Sequence, residues 1–155
     1  MTKEPILVVA GEPNSIFLEI FFKSIKKVKI KSPIILIASL ELLKLQMIKL
    51  NFRKKIIILD PKRILDYKLN NKSINLVNVD YNFNKAFDKI SSKSNNYIAK
   101  SFDIAFEILK KNKFNKFING PVSKKNFLKK KYLGITEYIS EKFSIKDNAM
   151  LIYNK

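Results

Sequence analysis

Apolar residues in this chain fall into short unbroken runs that alternate with stretches of helical spacing. The first run, Ile6 to Ala10, has no polar alternation, as a strand covered on both faces of a parallel sheet requires. Gly11-Glu12-Pro13-Asn14-Ser15 ends it, and a helical pattern follows from Ile16 to about Lys29, with Asn14 or Ser15 as the expected cap. The unit then recurs. Pro33 to Ala38 predicts a second strand, and Leu40 to Leu50 a helix with Leu40, Leu43, Met47 and Leu50 on one face and Ser39 as its cap. A third apolar run, Lys55 to Leu59, stops at Asp60-Pro61, where proline disfavours helix in the residue before it. Ile74 to Val79 predicts another strand, placed nearer an edge because polar residues interrupt it.

Residues 80 to 96, rich in Asn, Lys and Ser, read as a surface connection. From about Asn96 to Lys111, Ile98, Phe102, Ala105 and Leu109 fall at helical spacing while Lys100, Ser101, Asp103, Glu107 and Lys110 lie largely off that stripe. Phe114 to Ile118 predicts a short strand, Asn119-Gly120-Pro121 a turn, and Val122 to Lys131 a short basic helix. Thr136 to Phe143 reads as one more helix and Ala149 to Tyr153 as a last strand, after which the chain stops as if cut between elements. Alternating strands and helices predict an α/β fold with a mostly parallel sheet, built as one unit over residues 1–155.

Composition changes this picture in three ways. With 46% hydrophobic residues spread over 155 positions, the chain can build a core in spite of a formal charge of +18. That charge raises nucleic acid as a partner, but of 31 basic residues only Arg53 and Arg63 carry the guanidinium fork suited to phosphate and guanine. Lys, Asn and Ile rise together, as AT-rich codon usage produces, so nucleic acid is not the expected partner. Cysteine and histidine are both absent, which removes disulfides, thiolate sites and the commonest neutral-pH acid/base group and metal ligand. No run reaches the roughly 18 apolar residues of a membrane span. Met1-Thr2-Lys3-Glu4-Pro5 leads straight into the first strand without the pattern of a secretory signal, so the cytoplasm is the expected location.

In open parallel sheets ligands bind beyond the carboxyl ends of strands. Two loops meet that condition, Gly11 to Ser15 and Asn119 to Lys124, and both are expected on one rim. Gly11 stands without the further glycines of a dinucleotide fingerprint. The first loop reads either as a tight turn, Gly11 taking a positive φ and Pro13 setting the helix entry, or as a ligand contact through Glu12. In the second, Lys124 and Lys125 are expected in a helix first turn, where the dipole disfavours cations by about 0.3–1 kcal/mol. Either an anion compensates, held by backbone N–H groups, the Ser123 hydroxyl and a lysine, or both lysines point into water. Thr136 and Glu137, after Gly134, suit a cap and its first-turn acid.

Taken in order, these segments resemble the 4-hydroxythreonine-4-phosphate dehydrogenase family of vitamin B6 biosynthesis. VVAGEPNSI is similar to that family's strand and Gly-(Glu or Asp)-Pro-Ala-Gly-Ile-Gly turn: Gly11, Glu12, Pro13 and Ile16 match, while Asn14, Ser15 and Phe17 depart. FINGPVSKKNF resembles its strand-Thr-Gly-Pro-(Val or Ile)-x-Lys loop through Gly120, Pro121, Val122 and Lys124. LGITEYISEKF is similar to its Gly-His-Thr-Glu-(Phe or Tyr) segment, with Gly134, Thr136, Glu137 and Tyr138 matching and Ile135 in place of the histidine.

The resemblance implies a three-layer α/β/α fold of the isocitrate and isopropylmalate dehydrogenase type, incomplete here because family members are about twice as long. It implies Thr136 as a substrate contact, with Ser123 and Lys124 beside the phosphate of a phosphorylated small-molecule substrate. The Ile135 position lacks the expected donor, and Gly11, Glu12, Pro13, Gly120 and Pro121 give loop support. NAD and a divalent metal (Zn, Mg or Co) are implied as cofactors, with the metal-binding histidines beyond the point where this chain stops. A homodimer, or pairing with a second half, is the implied assembly, and the chain by itself is expected to be inactive. The competing readings are a lysine-rich module for phosphate or nucleic acid and a non-catalytic subunit.

Overall fold

A computed structural model of the chain describes residues 3–129 and 131–149. Contacts divide the chain between Pro121 and Val122 into two compact units. The first carries strands β1 (Ile6–Val9), β2 (Ile34–Ala38), β3 (Ile56–Ile58), β4 (Ile74–Asn78) and β5 (Phe117–Asn119) with helices α1 (Phe17–Lys27), α2 (Leu40–Lys49) and α3 (Asn95–Asn112). The strands form one parallel sheet in the order β3-β4-β2-β1-β5. Register pairs Leu7 with Ile35 on one side and with Phe117 on the other.

Side chains alternate between the two faces of the sheet. Val8, Ala10, Leu36, Ala38 and Leu76 pack with Leu18, Phe21 and Phe22 of α1 and Leu43 and Met47 of α2. Leu7, Val9, Ile35 and Ile37, from the alternate positions, are fully buried, and α3 contacts β1 and β2. Right-handed crossovers account for the layers: β1 to β2 and β2 to β3 move one way along the sheet, whereas β4 to β5 moves back, so α3 covers the opposite face. Ile98, Phe102, Ala105 and Leu109 are all buried, as the helical stripe predicts.

Ile74–Asn78 corrects the edge assignment, because β4 lies inside the sheet between β3 and β2. Its polar Asn75 is 2% exposed, yet its amide donates to the Ile34 and Asn70 carbonyls, both at 2.8 Å. A polar residue satisfied by backbone carbonyls is compatible with an interior strand. Ser101, expected off the stripe, is buried with its hydroxyl donating to the Tyr97 carbonyl at 2.7 Å.

Caps divide between agreement and correction. Ser39 caps α2, its hydroxyl accepting from Leu42 N at 3.4 Å. Neither Asn14 nor Ser15 caps α1: Ile16 holds that position, and Ser15 Oγ accepts from Phe17 N at 3.2 Å in a turn that precedes the helix. The strand expected from Phe114 starts only at Phe117, since Lys113 ends α3 in the left-handed region and Phe114 N still donates to the Leu109 carbonyl.

The second unit contains α4 (Ile135–Phe143) and, where a basic helix is expected over Val122 to Lys131, the described residues form only a wide turn over Lys124–Leu128. Lys129 takes φ 49° and ends it. Phe127 and Tyr132 pack edge-on against Tyr138, with ring centres 5.3 and 5.4 Å away. Of the expected strand from Ala149 to Tyr153, residues 150–153 lie outside the described residues.

Candidate functional site

Parallel pairing of β1 and β5 brings the turns after both strands to one rim of the sheet. Backbone locks them together. Glu12 N donates to the Pro121 carbonyl at 2.8 Å, and Gly120 N donates to the Val9 carbonyl at 2.7 Å. Gly11 has φ +73°, and a Cβ there would come within 2.5 Å of the Pro121 carbonyl oxygen. At Gly120 a Cβ would collide with the Ala10 carbonyl and meet the Phe17 ring at 3.0 Å. Glycine is therefore required on both sides of this contact by the closeness of the chain to itself.

Glu12 faces inward. It is 2% exposed, its carboxylate accepting from the Ser94 hydroxyl at 2.8 Å and from Asn14 N at 3.2 Å. Ser94 precedes the 18 residues of α3, so the carboxylate sits by the positive end of that helix, which offsets part of its burial cost. Pro13 is buried as well, its carbonyl accepting from Gln46 Nε2 at 3.1 Å. These contacts make the first loop a strut between β1, α2 and α3.

Further groups on this rim escaped the sequence reading. Tyr97 Oη accepts from Ser39 N at 3.2 Å, and burial pushes its hydroxyl pKa well above the ordinary range, so the ring stays neutral. Tyr81 packs against it with ring centres 4.9 Å apart, and burial raises its pKa too. Asn14 reaches across, its Oδ1 accepting from Asp88 N at 3.2 Å. Ser94 falls in the stretch read as a surface connection and Gln46 looks like an ordinary helix residue, and only the partner segments reveal their role.

In the second unit, the half-buried Ser123 caps the wide turn, with Oγ accepting from Asn126 N at 3.1 Å and its proton left to donate. Lys124 and Lys125 are exposed. A single turn has no stack of aligned peptides, so the argument for an anion at a helix start does not apply at Lys124 and Lys125. Ile135 opens α4 half-buried, and Thr136 follows it exposed. Gly134 occupies the cap position in extended backbone without a side-chain bond. Among the described residues no hydrogen bond joins Ser123 or Lys124 to Thr136.

Neither implied cofactor finds a site among the described residues. Among the described residues no three His, Cys, Asp or Glu groups converge as metal ligands. Close backbone approach, which a nucleotide pyrophosphate needs, is taken up at Gly11 and Gly120 by each other's strands. Among the described residues no helix is long and apolar enough to cross a membrane.

Several solved structures share the fold. A 4-hydroxythreonine-4-phosphate dehydrogenase from Burkholderia phymatum superposes with TM-score 0.79 at 15% identity, covering 93% of this chain and 44% of that one. One from Klebsiella pneumoniae gives TM-score 0.81 at 18% identity, covering 98% of this chain and 47% of that one. The chain thus spans about half the length of these dehydrogenases. Among curated proteins, none matches the sequence. The family model of the pyridoxal phosphate biosynthetic protein PdxA matches residues 29–155, from the approach to β2 to the last residue. With its three-layer parallel fold and a family match over most of its length, the chain belongs to the PdxA family.

Proposed function

We propose that this chain corresponds to the amino-terminal half of a dehydrogenase acting on 4-phosphohydroxy-L-threonine in pyridoxal phosphate biosynthesis, and that it holds substrate without completing the reaction alone. The observation that carries this reading is the family match over residues 29–155 in a chain covering only 44–47% of the related dehydrogenases. Thr136, exposed on the first turn of α4, offers a hydroxyl to the substrate, and Ser123 and Lys124 offer a proton donor and a cation to its phosphate. Ile135 gives no hydrogen bond where the family histidine stands. The interlocked Gly11-Glu12-Pro13 and Gly120-Pro121 turns keep their rim rigid.

The family reaction oxidises a hydroxyl-bearing carbon with NAD and releases carbon dioxide with help from a divalent metal, Zn, Mg or Co. Since neither group finds a site among the described residues, no step of that chemistry is assigned to this chain. Completion requires a histidine-bearing second half, in a homodimer or from a separate chain, and a cytoplasmic location goes with this reading. A nucleic-acid partner is not favoured: of the two arginines, Arg63 is engaged by Asp66 at 2.7 Å.

The test combines the 155-residue chain with 4-phosphohydroxy-L-threonine, NAD and Mg²⁺ and follows NADH absorbance. No turnover is expected from the chain alone, and turnover is expected when the second half of a family member is added. Turnover by the pure chain alone would overturn the division of labour. Failure of the mixture, together with no substrate binding by the chain, would overturn the functional reading.

A further inference from the structure

Beyond the carboxyl ends of β1 and β4 lies a cleft of about 140 Å³, lined by Asn14, Tyr81, Asn84, Lys89, Ser91 and Lys93 among others. Its position follows from the topology. The connection leaving β2 runs to α2 on one face of the sheet, whereas the connection leaving its neighbour β4 runs to α3 on the other. Such a reversal opens a crevice at the carboxyl ends of the strands, where α/β sheets take their ligands.

The lining is polar and unevenly charged. Asp88 is engaged by Lys85 at 3.7 Å, and one of its oxygens accepts from Lys89 N at 2.8 Å. Among the described residues neither the Lys89 nor the Lys93 ammonium has a carboxylate within ion-pair distance, so two cations face the cleft uncompensated. Ser91 Oγ accepts from Lys93 N at 3.4 Å, which leaves its hydroxyl proton to donate outward. The Asn14 link to Asp88 N ties this connection back to the β1 turn, so the walls are held from both sides. A cleft of this size and polarity suits a small anionic ligand.

We propose that this cleft binds a small phosphate monoester, its phosphate held by Lys89, Lys93 and the Ser91 hydroxyl and its polar body by Asn14, Asn84 and Tyr81. This assignment goes beyond the dehydrogenase reading, whose substrate contacts are Ser123, Lys124 and Thr136, and stands without it. The probes are glycerol 3-phosphate, inorganic phosphate and glycerol, titrated into the ¹⁵N-labelled 155-residue chain at physiological ionic strength. Saturable amide shifts at Asn14, Tyr81, Ser91 and Lys93 are expected with glycerol 3-phosphate, weaker ones with phosphate and none with glycerol. The exposed pair Lys89→Ala/Lys93→Ala is expected to weaken binding about tenfold, two exposed ion pairs lost. The control Lys26→Ala/Lys27→Ala, which removes the same charge from the last turn of α1, is expected to leave it unchanged. Equal weakening by both pairs would reduce the effect to general charge, and an affinity for inorganic phosphate matching that for the ester would leave no role for the asparagines. Either result overturns the proposal.

Discussion

The Glu12 carboxylate, in the turn after β1, accepts a 2.8 Å hydrogen bond from the Ser94 hydroxyl, which lies 82 residues further along at the start of α3. Buried carboxylate oxygens are costly unless hydrogen-bonded, and the Ser94 hydroxyl and Asn14 N supply such bonds here. Ser94→Ala is therefore expected to destabilise the chain by about 1.5–3 kcal/mol, the range for a hydrogen bond to a charged group. Urea denaturation at neutral pH measures it. A loss within error of zero would mean that Glu12 does not depend on this contact.

Gly11 and Gly134 make a controlled pair. Gly11→Ala places a side chain at φ +73° against the Pro121 carbonyl and is expected to cost about 2–4 kcal/mol, left-handed strain plus a backbone shift. Gly134 is extended, and an added Cβ would approach only the flexible Glu137 carboxylate at 3.1 Å, so Gly134→Ala is expected to cost no more than about 1 kcal/mol, the scale of a weaker cap. Thermal melts of both variants should separate clearly. Equal effects would argue against the interlocked turns.

Alkaline sensitivity should trace to Tyr97. Burial raises its pKa in the folded chain, so the unfolded chain loses its proton first, near pH 10. The stability conferred by the neutral ring is thus complete below that pH and is lost as pH rises toward the folded-state pKa. Tyr97→Phe is expected to cost about 1 kcal/mol at pH 7, because Ser39 N loses its acceptor, and the gap to the parent should narrow above about pH 10. Urea midpoints across that range decide it; a constant gap would place Tyr97 in contact with water.

If Ile135 stands where a substrate donor belongs, restoring one should help. Ile135→His is expected to tighten 4-phosphohydroxy-L-threonine binding about tenfold, with Ile135→Leu neutral and Thr136→Ala weakening it several-fold, on the scale of one hydrogen bond each. Calorimetric titration of the three variants checks this. Indifference to all three substitutions would remove these positions from the substrate site.

Hydrogen exchange tests the strand order. Amides of β4 should exchange as slowly as those of β2, and more slowly than those of the edge strands β3 and β5. Fast exchange across Leu76 and Val77 would return β4 to an edge.

The apolar run Ile6 to Ala10, the stripe Ile98-Phe102-Ala105-Leu109 and the Ser39 cap were legible because each depends on residues within a turn or two of one another. The layer class followed from their alternation, and Gly11, Gly120 and Thr136 stood out by motif resemblance. Tertiary structure decided what those elements face. Asn75 suggested an edge until the Ile34 and Asn70 carbonyls were seen to satisfy it inside the sheet. The basic stretch after Val122 has the composition of a helix and forms a single turn. Glu12 could have been a ligand contact or an internal strut, and its partner Ser94 is too distant in sequence for any local pattern to choose. Periodicity reports which side of an element is apolar, whereas strand order and buried hydrogen bonds depend on which remote segments come to lie beside it.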